Sequence, residues 1–317
     1  MVKSPHFFFA VLLAAVHLNG HSAAAQTWST GYFNSSDGYA PSGTSLNGAP
    51  TNAPASEQWQ TTDPYDSGTD RGATSLMAFI ENWTFGTPLS GNQSVYFGGY
   101  NANTGVLPGI TNPFLYREFN HTFGTAATTF SADFGIINPV SLFYTNDDTF
   151  GFNLATTNGT SLAAFRFGPS GALPGFLNVS WLQNGTNVVT NGTTFKGFQI
   201  QYDGLYRLTA TLVSNTVSME IAGLTAESGG PGVGITNYAV GPAVEIISGG
   251  ALSDGLLSSD FEVAGMTWDL ESGNANSPGA NYMIVNQVSV VPEPSSLALV
   301  AAGMAMLGLG AFLRHRR

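Results

Sequence analysis

Not one cysteine occurs among the 317 residues. Disulfides, thiolate nucleophiles, iron–sulfur clusters and Cys-ligated zinc are excluded, so whatever fold forms must be held by its core alone. Cations are also scarce: nine Lys and Arg stand against twenty Asp and Glu, a net charge of −11. Between residues 26 and 290 only Arg71, Arg117, Arg166, Lys196 and Arg207 remain against nineteen acids, a net charge of −14. A body this acidic does not neutralise phosphates, which argues against nucleic acid as a partner and makes a bare anionic bilayer a poor one. The charge suits solubility outside the cell, or divalent cations shared with an anionic polysaccharide.

Histidine is nearly missing from the same stretch, where His121 stands alone between Phe119 and Phe123. One imidazole does not make the usual zinc site, and there is no Gly-x-Ser-x-Gly elbow to go with it. Phosphate-binding loops, dinucleotide fingerprints and His-Glu-x-x-His are absent too, which removes nucleotide and metallopeptidase chemistry. Nor does any helical stripe run through residues 26–290.

What the chain does have is alternation. Phe130, Ala132, Phe134 and Ile136 share one face of an extended segment, as do Phe150, Phe152 and Leu154, then Leu177, Val179 and Trp181, then Phe198, Ile200 and Tyr202. Period two with one apolar face is the pattern of a half-buried strand. Tyr206, Leu208, Ala210 and Leu212, then Ser214-Asn215, then Val217, Met219 and Ile221 predict a hairpin. Its polar face carries Arg207, Thr209, Thr211, Ser218 and Glu220. Asn158-Gly159, Asn184-Gly185, Asn191-Gly192 and Asp203-Gly204 supply turns. Ala239 to Ile247, Phe261 to Leu270 and Tyr282 to Val290 predict further strands, with a Gly-rich loop over Gly223 to Gly234. Turns every ten or so residues fit an antiparallel sandwich, and one domain over 26–290 is the simplest count. Its first part, 26–72, is rich in Ser, Thr, Gly, Asn and Pro and reads as an irregular lead-in ordered only where an aromatic docks. Asp63, Asp66 and Asp70 within it lack the spacing of a calcium loop and read as solvated.

The two ends carry export signals. Lys3, the apolar run Phe7 to Val16 and the small residues Ala23 and Ala25 predict a signal peptide over 1–25, cut after Ala25 by signal peptidase. At the other end Val291-Pro292-Glu293-Pro294-Ser295-Ser296 precedes seventeen uncharged residues, 297–313, and then Arg314-His315-Arg316-Arg317. A helix of that length rises roughly 25 Å, just enough to span a bilayer. Arg314, Arg316 and Arg317 form its stop and stay on the cytoplasmic side, leaving the body outside. Pro292 and Pro294 forbid helix before the membrane and leave an extended segment, with Glu293 as the one charge to be recognised.

Pro292-Glu293-Pro294, the short apolar segment and the terminal arginines together resemble the PEP-CTERM sorting tail of exported bacterial proteins. The resemblance implies a membrane-embedded exosortase that reads the tripeptide, cuts near it and passes the protein to the cell surface or exopolysaccharide matrix. Phe130 to Phe167, with Asp133 and Asn146-Asp147-Asp148-Thr149-Phe150-Gly151-Phe152, resembles the concanavalin-like jelly roll of lectin and laminin-G modules. The expectation is therefore an all-β, single antiparallel jelly-roll sandwich with a structural or adhesive role, non-catalytic and without a resident cofactor. It would be anchored by the C-terminal helix and then sit at the surface, possible partners including extracellular polysaccharide.

Two other readings stay open. Asp147 and Asp148 at a turn would present carboxylates to Ca²⁺ at a lectin-like rim, or simply cap local amides. Jelly-roll glucanases carry Glu, Asp, Glu at alternate positions of one strand. Here Thr267 stands in the first position, leaving Asp269 and Glu271, on one face, as the nearest thing to a glycosidase pair. Trp181, Tyr202 and Trp268 would stack on sugar rings if exposed, and belong to the core otherwise. The eight Asn-x-Ser/Thr sequons (Asn34, Asn82, Asn92, Asn120, Asn158, Asn178, Asn184, Asn191) reflect Asn- and Thr-rich composition.

Overall fold

A computed structural model describes residues 28–31, 33–39, 46–61, 79–81, 93–97, 114–118, 127–137, 149–169, 175–188, 195, 197–202, 204–225, 243–269 and 282–292. In chain order the strands are β1 (Trp28–Ser29), β2 (Trp59–Thr61), β3 (Phe79–Glu81), β4 (Ser94–Phe97), β5 (Phe114–Glu118), β6 (Thr128–Ile137), β7 (Thr149–Ala155) and β8 (Ser161–Pro169). They continue with β9 (Phe176–Gln183), β10 (Thr186–Val188), β11 (Phe198–Gln201), β12 (Leu205–Val213), β13 (Thr216–Thr225), β14 (Val244–Ala251), β15 (Val263–Asp269) and β16 (Tyr282–Pro292). Helix among the described residues amounts to three 3-10 turns, at Ser35–Asp37, Ala55–Glu57 and Ser258–Asp260.

Every strand pairing between these elements is antiparallel, and they form two eight-stranded sheets. The first runs β14-β13-β12-β6-β16-β4-β3, with β1 also on β16; the second runs β10-β9-β8-β7-β15-β5-β2, with β11 on β9. Their apolar faces meet in one core. Phe134 of the first sheet lies 5.4 Å from Phe152 and 4.6 Å from Phe167 of the second, ring centre to ring centre. Offset and edge-on ring pairs at such distances add to the area they bury.

The alternation read from the sequence is the alternation observed. Phe130, Ala132, Phe134 and Ile136, Phe150, Phe152 and Leu154, and Leu177, Val179 and Trp181 are all buried. The Tyr206–Ile221 hairpin closes with Val213 opposite Thr216, Ser214 taking a positive φ of 54°. Asn184 and Gly185 both take positive φ, 51° and 69°, between the paired Gln183 and Thr186. That is the left-handed two-residue turn that matches strand twist.

Several segments depart from expectation, among them the start of the expected Gly-rich loop, where Gly223 and Thr225 stay paired in β13. The lead-in is not merely draped: β1 joins the first sheet, β2 the second, and Phe33, Tyr39 and Trp59 are buried. Phe33 and Tyr39 meet edge to face at 5.1 Å, and Trp59 donates its indole N–H to Tyr39 Oη at 3.3 Å. A few large aromatics contribute enough burial to order a chain whose average composition would not. β14 runs on to Ala251, through Gly249 and Gly250, instead of stopping at Ile247. Gly249 has φ 58°, and a methyl group at Gly250 would lie 2.3 Å from the Trp181 ring, so the pair bends the strand and lets the indole pass. β16 does not end at Val290 but continues through Pro292.

Candidate functional site

β16 is the strand that carries the sorting motif, and its inward face changes parity on the way. Met283 and Val285 lie opposite Ile136 and Phe134, whereas Val288, Val290 and Pro292 lie opposite Ala132, Phe130 and Thr128. The switch is a bulge between Val285 and Gln287, with Asn286 the extra residue. One inserted residue reverses which side chains face the core. Consequently Val291 points outward and is 36% exposed, while Pro292, first residue of the tripeptide, is buried at the rim.

The outer face of the first sheet is a lattice of polar side chains. Arg207 opposes Asp133, Thr209 opposes Ser131 and Thr211 opposes Thr129. Gln287 and Ser289 extend two of these rows on β16. Arg207 donates to Asp133 through Nε at 2.6 Å and Nη2 at 2.7 Å, a bidentate pair in which the Asp side chain is 9% exposed and the Arg 46%. Planar two-bond geometry of this kind fixes both partners. Each residue sits on an outward position legible from its own strand, but their pairing spans 74 residues. That distance kept it out of the sequence reading.

The outer face of the second sheet has a different floor. Gly151 and Gly265 oppose Thr267 and Asn153 respectively, and Arg166 opposes Gly151 on the other side. A methyl group at Gly151 would lie 2.1 Å from the Phe165 carbonyl oxygen and 3.0 Å from Arg166 Cδ. Arg166 lies across this gap and donates Nη1 to the carbonyls of Phe165 and Phe152 at 3.3 and 3.4 Å. Glycine is thus required by close approach, the usual reason for it inside a strand.

Of the residues singled out in the sequence, Trp181 is 1% exposed and belongs to the core, and Tyr202 packs against that core half-buried. Thr267 is 7% exposed, and its Oγ has no hydrogen-bond partner among the described residues. Asp269 is the last residue of β15, in register with Thr149. The side chains of Asp269 and Trp268 lie outside the described residues, as do Glu271, Asp147, Asp148, His121, Asp63, Asp66 and Asp70. Ala23, Ala25, Glu293, Pro294 and the segment 297–317 also lie outside. Among the described residues no group of three or more His, Asp or Glu could hold a metal ion, and no helix is long and apolar enough to cross a membrane.

Comparison with known families finds a match to the PEP-CTERM protein-sorting motif over residues 290–317. No curated protein matches the chain. Among solved structures, a GH131 β-glucanase catalytic domain from Podospora anserina aligns with 10% identity and a TM-score of 0.43, covering 84% of this chain and 89% of that one. A carbohydrate esterase from the Shiga toxin-encoding bacteriophage phi24B aligns with 14% identity and a TM-score of 0.38, over 73% of this chain and 88% of its own. A CBM2 module from a Lactobacillus casei BL23 phage J-1 protein gives 13% identity and 0.37, over 67% and 81%. Likeness at this level fixes neither a ligand nor a reaction.

The class is nonetheless defined: an exported, membrane-associated all-β protein with a C-terminal sorting signal. The chain carries a PEP-CTERM motif, whose handling enzyme is exosortase, a membrane protease.

Proposed function

We propose that the chain is a non-catalytic surface or matrix protein. Signal peptidase cuts after Ala25, the helix 297–313 holds the protein in the membrane, and exosortase processes it at Pro292-Glu293-Pro294. The jelly-roll sandwich then serves as a structural or adhesive unit within extracellular polysaccharide. The observation that carries this is the joint between body and tail: β16 is an interior strand of the first sheet and runs without a linker into the motif. A body joined so directly to its address is delivered as a rigid unit. The Thr267 position further supports a non-catalytic role, since the place of the first acid in a glucanase-like series holds a buried hydroxyl. Mass spectrometry of the protein from its native cells tests the reading. Loss of Glu293 to Arg317 from part of the population is expected; an intact C-terminus on every molecule rules processing out.

The glycine floor of the second sheet favours one alternative, a carbohydrate-binding module using the face around Arg166 and Asn153, with Ca²⁺ at Asp147 and Asp148 ordering the neighbouring turn. A glycan array run with and without EDTA separates the two. Binding that needs calcium and is lost in Asp147→Ala would favour the module; reducing ends released by wild type and not by Glu271→Gln would favour a glycosidase.

A further inference from the structure

The first of the three residues of the sorting motif is built into the sheet. β6 pairs with β16 along one edge up to the end, Val291 opposite Thr129 and Pro292 opposite Thr128. The other edge is closed by β1, with Ser29 opposite Ser289 and Trp28 opposite Val290. Thr30 seals the join: its N–H donates to the Val288 carbonyl at 2.9 Å, and its hydroxyl accepts from the Val288 N–H at 2.9 Å. Thr30 is fully buried, Val288 is 2% exposed, Val290 is fully buried and Pro292 is buried.

A protease takes its substrate as an extended chain with free backbone edges, and reaches paired segments only through local opening. For β16 such opening means withdrawing an interior strand from between β6 on one side and β4 and β1 on the other, along with the apolar surface of Val285, Val288 and Val290. Strands of that kind open at the high end of the free-energy range within a protein. The pairing of β16 with β6 is described up to Pro292, opposite Thr128, the first residue of β6.

We propose that the folded sandwich itself sets the N-terminal limit of processing. The bonds up to and including Val291–Pro292 are withheld from exosortase, the cut falls after Pro292, and the processed protein keeps the whole of β16. Membership of β1 in the same rim has a second consequence. Antiparallel pairing of Trp28 with Val290 puts the residues that follow the Ala25 cut beside those that precede the exosortase cut, about 5 Å apart across neighbouring strands. Both ends of the described chain therefore lie at one pole of the first sheet.

This limit rests on the processing reading above, so two measurements are needed to keep their failures apart. In the first, the C-terminal peptide of the processed protein from native cells is sequenced by mass spectrometry. A C-terminus at Pro292 or later is expected, and one at Val291 or earlier overturns the proposal. In the second, which needs no exosortase, the full chain in detergent is digested briefly with proteinase K under native conditions and its C-terminal boundary is mapped. Trimming that stops at or beyond Pro292 supports the proposal even if the cellular protein is never cut; cleavage within 282–291 overturns it.

Discussion

The two sheets present the same inner face and different outer ones. Inside, both alternate large apolar side chains in register, Phe130 and Phe134 on β6 against Phe152 and Phe167 on β7 and β8. Outside, the first sheet is a lattice of hydroxyls anchored by the Asp133–Arg207 pair, with both ends of the described chain on β16. The second replaces side chains with hydrogen at Gly151 and Gly265 and lays Arg166 over the gap. Inner faces answer only to packing, so they converge. Outer faces are free to differ, and here one carries hydroxyls and an ion pair while the other carries glycines beneath an arginine. The first sheet holds the strand that leads into the sorting motif; the second closes over its glycines with Arg166.

The shared core gives the largest effect. Phe134 is fully buried and its ring meets Phe152, Phe167 and Tyr206, so Phe134→Ala removes contacts to both sheets at once. A loss of about 4 kcal/mol is expected, read as a lower denaturant midpoint with a single transition by both fluorescence and circular dichroism. Two separated transitions would mean that the sheets fold independently and the comparison is between domains.

Gly151→Ala tests the second sheet. Because the obstacle is the Phe165 backbone oxygen, which does not swing aside, the cost is expected near the upper end for overpacking, about 3 kcal/mol. An unchanged melting temperature would show that the strand has slack there.

Arg207→Ala and Asp133→Ala test the first sheet, and they are not expected to match. Removing Arg207 strands a carboxylate that is 9% exposed, whereas removing Asp133 leaves a guanidinium already 46% in water. The first is expected to cost about 2 kcal/mol and the second about 1 kcal/mol, both below the loss for a fully enclosed pair. Equal losses in urea titrations would show that burial does not govern the pair.

The smallest effect runs the other way. Glu220 on β13 and Glu245 on β14 are directly opposed on the exposed face, a like-charge pair. Glu220→Lys is expected to stabilise by about 0.5 kcal/mol at low salt, and the gain should fade in 1 M NaCl.

The strands of the interior were legible because their pattern is local: Phe150, Gly151, Phe152, Asn153 and Leu154 announce two faces without reference to anything else. The lead-in was harder, since the burial of Phe33, Tyr39 and Trp59 depends on partners they meet only in the folded state. The Asn286 bulge has a trace in the sequence, where apolar residues shift from Met283 and Val285 to Val288 and Val290. Such a shift reads as a strand end unless the partner strand is known. The Asp133–Arg207 pair had no trace beyond two outward positions, because which strands become neighbours is not a local property.

From the residues alone came the absence of thiol chemistry, the acidic body, the period-two strands and the sorting tail with its Pro-Glu-Pro, all of them set by composition or by spacing along the chain. Which strands lie side by side, which aromatics of the lead-in are swallowed, and how deep into the sheet the tripeptide begins were decided by folding. Those depend on contacts between residues far apart in sequence, and only the assembled sandwich brings Trp28 to Val290 and Thr128 to Pro292.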